Sequence, residues 1–406
     1  MNHRGTLITA GWLAACTSAG AIAGCGEGEP ERPGQTDGVS DGCAFEPGTF
    51  DSFDQAVSAF LADHGLAGAS AAVVHERCGS VHVQGYGAHA SDRLYLMASA
   101  SKVPSAGILL RLADRGLLDL DAPIGQYLAA PGGKPELTVA MLVSNSSGLI
   151  GLVDNPLYAP YRCQYQAQGS LGDCALTIYT ADDSADRAAP DSSFHYGGGQ
   201  WQLAGGIAEA VSGLRWDELV EETYRQPCGL HRLGYTNPFG IAVQTGGLRS
   251  IFDYPAFFQA DTRNLPASDN PSVEGGLFSD VSEYGRLLLM HLRGGECDVG
   301  RVLSESSATR MRFDRILEAY SGSTAGQAGR TAGGDSGAFA GYGLGWWIDR
   351  EHPGVFADPG LYGSFPWLDL PRGYGAIIAL EADGTLGAQL WASAKPALDR
   401  VFDARR

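Results

Sequence analysis

The chain has 406 residues, 44% of them hydrophobic, with 57 glycines and a formal net charge of −18. That composition excludes a disordered or fibrous chain and supplies enough apolar surface for a large packed core. The acidity argues against nucleic acid as a partner, because such a chain repels a phosphate backbone, and no run of Lys and Arg offsets it. The first element is a leader: Asn2, His3 and Arg4 precede the apolar, small-residue stretch "GTLITAGWLAACTSAGAIAG" (5–24), which reads as an export signal.

Two positions in the leader place a cysteine after an apolar and two small residues: Leu13-Ala14-Ala15-Cys16 and Ile22-Ala23-Gly24-Cys25. Both resemble the lipobox of bacterial lipoproteins. Cys25 is the expected lipidation site, since Cys16 leaves a short apolar region; a simple secretory signal is the alternative. Residues 26–42, "GEGEPERPGQTDGVSDG", carry Gly, Pro and acids with no apolar period, and read as a flexible tether. The expected organisation is a leader over 1–25, a tether over 26–42 and one folded domain over 43–406. A lipid-anchored protein outside the cytoplasm, in a bacterial cell envelope, is the expectation, with secretion if it is not lipidated.

The remaining six cysteines are an even set behind an export signal, which points to disulfides. Sequence leaves the connectivity open. Pairing in chain order, Cys43 with Cys78, Cys163 with Cys174 and Cys228 with Cys297, is the expectation adopted. No C-x-x-C occurs, which argues against a zinc ribbon or a redox dithiol.

Within the domain, apolar residues at 50, 53, 57, 60 and 61 predict a helix ended by Gly65. "AGASAAVVHE" and "GSVHVQGYG" predict two strands joined at Arg77-Cys78-Gly79. A helix starts near Ser99, with Pro104 in its first turns. A short helix and turn follow over 137–149; 154–194 reads as irregular. "WQLAGGIAEAVSG" and "DVSEYGRLLLMHLRGG" predict helices closed by glycine. The segments "YGLGWWID", "GVFAD", "GSFPWLDL" and "YGAIIALE" predict antiparallel strands, and a helix from about Leu390 to Val401 ends the chain. Strands at both ends with helices between them predict one sheet joining first and last strands, beside a mostly helical subdomain at about 120–330. A ligand cleft is expected between the two.

The chemistry starts from Ser99 and Lys102, three apart and so on one helical face. A serine needs a base within reach, and burial can lower a lysine's pKa enough to serve. Helix-start N–H groups can stabilise an oxyanion. Serine and lysine at this spacing are common by accident, so context decides. Rival motifs are weak: Gly38-Val39-Ser40-Asp41-Gly42 sits in the tether with no strand before it, and there is no His-Glu-x-x-His, P-loop or dinucleotide fingerprint. His75, His82 and His89 fall around the hairpin and read as exposed; His195 stands at the expected cleft or is structural. No metal or cofactor is implied.

The stretch "MASASKVPSAGILLRLADRGLLDLDAPIGQYL" (97–128) closely resembles the nucleophile helix of the serine β-lactamase-like family, which includes class C β-lactamases, D,D-carboxypeptidases and related esterases. "MLVSNSSGL" (141–149), "FHYGGGQWQLAGGIAEAVSG" (194–213), "GGLFSDVSEYGRLLLMHL" (275–292) and "YGLGWWID" (342–349) are similar to later segments of that family, in the right order. The resemblance implies an α/β (α+β) fold of the β-lactamase/transpeptidase type, an antiparallel sheet flanked by helices plus a mostly helical subdomain. It implies Ser99 as the acylated nucleophile, Lys102 as the residue that helps deprotonate it, and Tyr196 as the proton relay to the leaving group.

Two departures bear on substrate. Where the family carries Tyr-x-Asn, this chain reads Tyr196-Gly197-Gly198; Asn145 stands where it usually has His. The third motif, usually Lys-Thr-Gly or His-x-Gly, aligns with Asp358-Pro359-Gly360. Asp358 would repel an anionic substrate, whereas Gly360 would let the Leu361 N–H pair with that of Ser99 as an oxyanion hole. Asn145, Gly198, Asp358, Gly360 and Tyr362 are the expected substrate contacts, and Tyr362, Trp346 and Trp347 line a wide pocket or pack in the core. A monomeric serine hydrolase of a neutral ester or amide is the favoured reading. A β-lactamase or D,D-carboxypeptidase acting on β-lactams or peptidoglycan peptides, and an inactive cell-envelope binding scaffold, are the alternatives.

Overall fold

Strand alternation and helix caps fix most of the architecture. The structure, a computed structural model, describes residues 43–239, 268–316 and 339–405, apart from positions 129, 153 and 156. The leader, Cys25, the tether with its Gly-x-Ser-x-Gly sequence, and parts of the expected helical subdomain lie outside the described residues.

Helix α1 (Asp51–Asp63) buries Phe53, Val57, Phe60 and Leu61, and Gly65 follows it at φ +62°. β1 (Gly68–His75) and β2 (Gly79–Gly87) form the expected hairpin. Short strands β3 (Tyr95–Leu96), β4 (Gly234–Tyr235) and β5 (Leu277–Ser279) make a small sheet in the order β3-β5-β4. β6 (Phe339–Tyr342), β7 (Trp347–Asp349), β8 (Val355–Ala357), β9 (Phe365–Asp369) and β10 (Tyr374–Ala379) complete the main sheet, ordered β2-β1-β10-β9-β8-β7-β6. The first and last strands do pair: β1 runs antiparallel to β10, from Ser70 opposite Ala379 to His75 opposite Tyr374.

Every residue of β1 is buried, because both sheet faces are covered. Alternation sends Ala72 and Val74 into the core shared with the helical middle. It sends Ala69, Ala71 and Val73 into the core under α1 and the last helix.

The helical middle comprises α2 (Lys102–Asp114), α3 (Val139–Val143), α4 (Leu171–Tyr179) and α5 (Gly199–Ser212). It is followed by α6 (Val281–Leu292) and, after the tail strands, α7 (Gly384–Asp403). α2 is buried from Lys102 through Leu110, so it runs through the core rather than along a surface.

Three expectations are corrected. The segment 154–194 holds α4, because the Ser170 side chain accepts from Asp173 N–H and starts it. "YGLGWWID" is a hairpin rather than one strand: Gly343 N–H donates to Trp346 O at 2.9 Å between β6 and β7. The last helix begins at Gly384, where the Asp383 side chain caps it, and passes through Pro396. Two glycines at its start hide that first turn from a propensity reading. The disulfides join Cys43 to Cys78, Cys163 to Cys174 and Cys228 to Cys297.

Candidate active site

Ser99 sits in a short 3-10 turn (Ala98–Ser101) that runs directly into α2. Ala98, just before it, has φ +45°, a left-handed conformation that side-chain-bearing residues rarely adopt and that functional turns store. The turn is held from outside. Ser101 Oγ donates to Ala98 O and accepts from Leu277 N–H, and Met97 N–H donates to Leu277 O. The hydroxyls of Tyr284, Tyr235 and Tyr224 donate to the carbonyls of Ala100, Ser101 and Pro104. Tyr224 leaves no room for a side chain at Gly107, where a Cβ would stand 2.1 Å from its hydroxyl. Ser99 itself keeps some exposure while its neighbours are buried.

Lys102 is fully buried, with Nζ 3.2 Å from Ser99 Oγ. The same ammonium donates to Glu274 O at 3.3 Å, pairs with Glu274 Oε2 at 3.2 Å and lies 4.5 Å above the Tyr196 ring. Burial pushes Lys102 down, but Tyr196, the Glu274 carboxylate and Asp358 outweigh it, so Lys102 is held above its ordinary value. Desolvation therefore does not make a neutral lysine the resting form, contrary to the sequence expectation. Tyr196 packs against Trp347, ring centroids 5.1 Å apart. Burial pushes its phenol up, with the Lys102 ammonium and the Ser99 hydroxyl pulling the other way.

Ser99, Lys102 and Tyr196 are thus brought together. The other expected contacts divide. Gly360 belongs here: it donates to Ser364 O at 2.7 Å, and a Cβ on it would stand 2.2 Å from Met97 O, so only glycine permits the approach. Leu361 packs on the cluster of Leu96 and Ala98, and its N–H donates to no acceptor among the described residues. Ser99 N–H lies in the first turn of its helix, where amides lack intrahelical partners.

Asn145, Gly198, Asp358 and Tyr362 are engaged in contacts within the protein. Asn145, at φ +59°, is fully buried; its Oδ1 accepts from Gly197 N–H, Gln200 Nε2 and Trp201 Nε1 at 3.0, 3.2 and 2.9 Å. It fixes the Tyr196 loop from behind. Gly198 N–H donates to Glu274 Oε2 at 2.9 Å. Asp358 Oδ2 accepts from Val103 N–H at 3.0 Å, and burial pushes this carboxyl well above the usual carboxylate range, opposed by the Lys102 ammonium. It therefore presents no exposed charge to repel an anion. Tyr362, Trp346 and Trp347 are core residues.

Two of the hairpin histidines, read as exposed, are not. His75 and His89 are buried; His89 Nδ1 contacts the Tyr95 hydroxyl at 2.8 Å, and His82 Nε2 contacts Asp54 Oδ1 at 2.8 Å. His195 lies between Ser193 Oγ and Asp154 Oδ2, each at 2.7 Å. A cavity of about 490 Å³ lined by Glu305, Arg310, Phe313 and Arg315 contains none of the Ser99 group. Sequence reading missed Glu274. Its signal was a single acid in the small and apolar run Pro271 to Phe278.

A model of the Beta-lactamase family matches residues 53–396. The chain belongs to the Beta-lactamase family. Penicillin-binding protein 4 of Amycolatopsis lactamdurans is 26% identical over 349 residues, covering 80% of this chain and 83% of that protein. The esterase/beta-lactamase LipL of Mycobacterium tuberculosis is 28% identical over 256 residues, covering 55% and 57%. A putative beta-lactamase from Bacteroides dorei shares the fold with a TM-score of 0.64 at 21% identity, over 87% of this chain and 99% of its own. As a Beta-lactamase family chain it carries the β-lactamase/transpeptidase-like fold of a serine hydrolase family that embraces penicillin-binding proteins and esterases. The structure brings Ser99, Lys102 and Tyr196 together and sets the Glu274 carboxylate against Lys102 and the Gly198 N–H.

Proposed function

We propose that this protein is a serine hydrolase that forms an acyl-enzyme on Ser99 and releases it to water, with neutral esters or amides as substrates. The observation that carries the reading is the buried Lys102 Nζ, 3.2 Å from the Oγ of a serine that retains solvent access. Ser99 Oγ attacks the acyl carbon, and the oxyanion is received by the N–H groups of Ser99 and Leu361. Tyr196 carries a proton to the leaving group.

Preference for esters over β-lactams rests on what replaces the anion-binding residues. Gly198 offers no side-chain amide, and Asp358 supplies no cation. A substrate carboxylate finds no lysine or histidine at the third motif. The name of the Amycolatopsis lactamdurans relative keeps penicillin binding as the second reading. The three disulfides support an oxidising compartment, and with Cys25 lipidated the domain is a monomer tethered to the cell envelope, acting on small molecules.

The test is the intact mass of residues 43–406 after fluorophosphonate treatment, with peptide mapping, followed by p-nitrophenyl esters and a chromogenic cephalosporin. One adduct on Ser99, absent in Ser99→Ala, with faster turnover of the esters, is expected. Turnover confined to the cephalosporin would make it a β-lactamase. No adduct on folded protein would leave a binding scaffold.

A further inference from the structure

The loop after Tyr196 carries two glycines where a side chain would not fit, and a carboxylate from another segment lies against it. A Cβ at Gly198 would stand 2.9 Å from Ile150 O, and one at Gly197 would stand 2.5 Å from Glu274 Oε2. The space a side chain at Gly197 would need is thus held by Glu274, and that at Gly198 by the Ile150 carbonyl. The Glu274 side chain, 7% exposed, reaches in from just before β5, takes the Gly198 N–H at 2.9 Å and meets Lys102 Nζ at 3.2 Å. Its Oε1 accepts no hydrogen bond among the described residues. An asparagine amide can orient a lysine but cannot take its proton; a carboxylate can do both.

We propose that Ser99, Lys102 and Glu274 form a proton relay, with Glu274 taking a proton from Lys102 so that Lys102 can take the proton of Ser99. This rests on Ser99 being the nucleophile. Two links join the three groups: Ser99 Oγ to Nζ at 3.2 Å and Nζ to Oε2 at 3.2 Å. Lys102 is an ammonium at rest, so it has no lone pair for the serine proton. Glu274 Oε2 accepts one ammonium proton, and the freed Nζ lone pair accepts the Ser99 proton. The Oγ–C bond forms and the carbonyl π pair moves to oxygen. On collapse the C–O bond to the leaving group breaks. The Tyr196 phenol protonates the leaving oxygen and is refilled from Lys102, which is refilled from Glu274. Water replaces the serine hydroxyl in the second half-reaction, and the serine oxygen leaves with the returned proton. Glu274 acts through Lys102 and is a positioning residue in that sense. The groups that face Lys102 are Ser99, Tyr196, Asp358 and Glu274, so the acid side of the profile belongs to this set.

The experiment measures the second-order rate of fluorophosphonate labelling at Ser99 from pH 5 to 9 in wild type, Glu274→Gln and Glu274→Ala. Glu274→Gln is expected to label on the order of 100-fold more slowly at neutral pH. Its rate should then climb about tenfold per pH unit, because neutral Lys102 must now be made by titration. Glu274→Ala should regain rate as formate is added, a within-sample ratio that partial misfolding does not mimic. Labelling of Glu274→Gln within about threefold of wild type, with the same pH profile and no formate rescue of Glu274→Ala, overturns the relay while leaving Ser99 the nucleophile. Failure of wild type to label at Ser99 overturns both, and is a separate observation.

Discussion

Two buried lysine–carboxylate pairs among the described residues share one separation. Lys102 meets Glu274 at 3.2 Å, and Lys134, 3% exposed, meets Asp183 at 3.2 Å. Their other acceptors differ. Lys134 gives its remaining hydrogen bonds to the carbonyls of Ile178, Tyr179 and Ala181, each at 3.0 Å, at the C-terminal end of α4. That is the end of a helix where a cation is favoured and carbonyls lack partners. Asp183 is tied in turn to the Tyr161 hydroxyl. Nothing reactive faces Lys134, and burial holds it below its ordinary value although Asp183 pulls the other way. Lys102 faces one carbonyl, one carboxylate and one hydroxyl, under a tyrosine ring. The contrast teaches that a buried ion pair becomes chemistry only when one donor is left for a group that can react.

Substitution sharpens this contrast. The largest effect is expected at Lys102→Met, where Ser99 labelling falls about 10⁴-fold, the upper range for loss of acid–base catalysis. Lys134→Met should leave activity per folded molecule unchanged but remove about 3 kcal/mol of stability, since buried Asp183 loses its lysine and keeps only Arg187, 3.7 Å away, and the Tyr161 hydroxyl. Urea unfolding monitored beside ester turnover checks both. Equal loss of activity in the two variants would erase the distinction.

His291 extends the comparison to a buried base with no carboxylate against it. Burial, helped by the Arg312 guanidinium, pushes it down to about 3 from 6.5. The folded state therefore binds fewer protons than the unfolded state below pH 6.5, and stability drops as pH falls through that window. Between pH 7 and 5 this group accounts for a loss of about 2 kcal/mol. His291→Gln should flatten the slope of unfolding free energy over that range by the same amount. His75 and His89, also lowered by burial, keep a residual slope in the variant.

Local signals made much of this legible. The hairpin of β1 and β2, α5 with Gly213 after it, and the neighbour-order cysteines all follow from pattern and punctuation. So does the pairing of the chain's first and last strands. Ser99, Lys102 and Tyr196 come from motif resemblance, and the fold brings them within reach of one another. What sequence concealed is direction. Asn145 and Asp358 occupy motif positions, yet Asn145 Oδ1 accepts from one backbone and two side-chain N–H groups and Asp358 Oδ2 from a backbone N–H, and only the packing of α2 and α5 decides that. Glu274 was hidden for the opposite reason: it occupies no motif position, and 172 residues separate it from Lys102. Its place against the loop requires glycine at 197, where a Cβ would stand 2.5 Å from its Oε2.

The close approach at Gly360 has a consequence for how this enzyme family member could be diversified. Gly345 adds to it, since a Cβ there would stand 3.0 Å from Lys102 O, and at Gly276 one would stand 2.0 Å from Thr236 O. At Gly197 and Gly198 a Cβ would likewise stand 2.5 Å from Glu274 Oε2 and 2.9 Å from Ile150 O. A saturation library at these positions would be nearly all dead clones. Half-buried Leu152, Phe194 and Leu361 instead carry side chains beside the same backbone. New specificities would be selected at those three positions, with the glycines as the invariant frame.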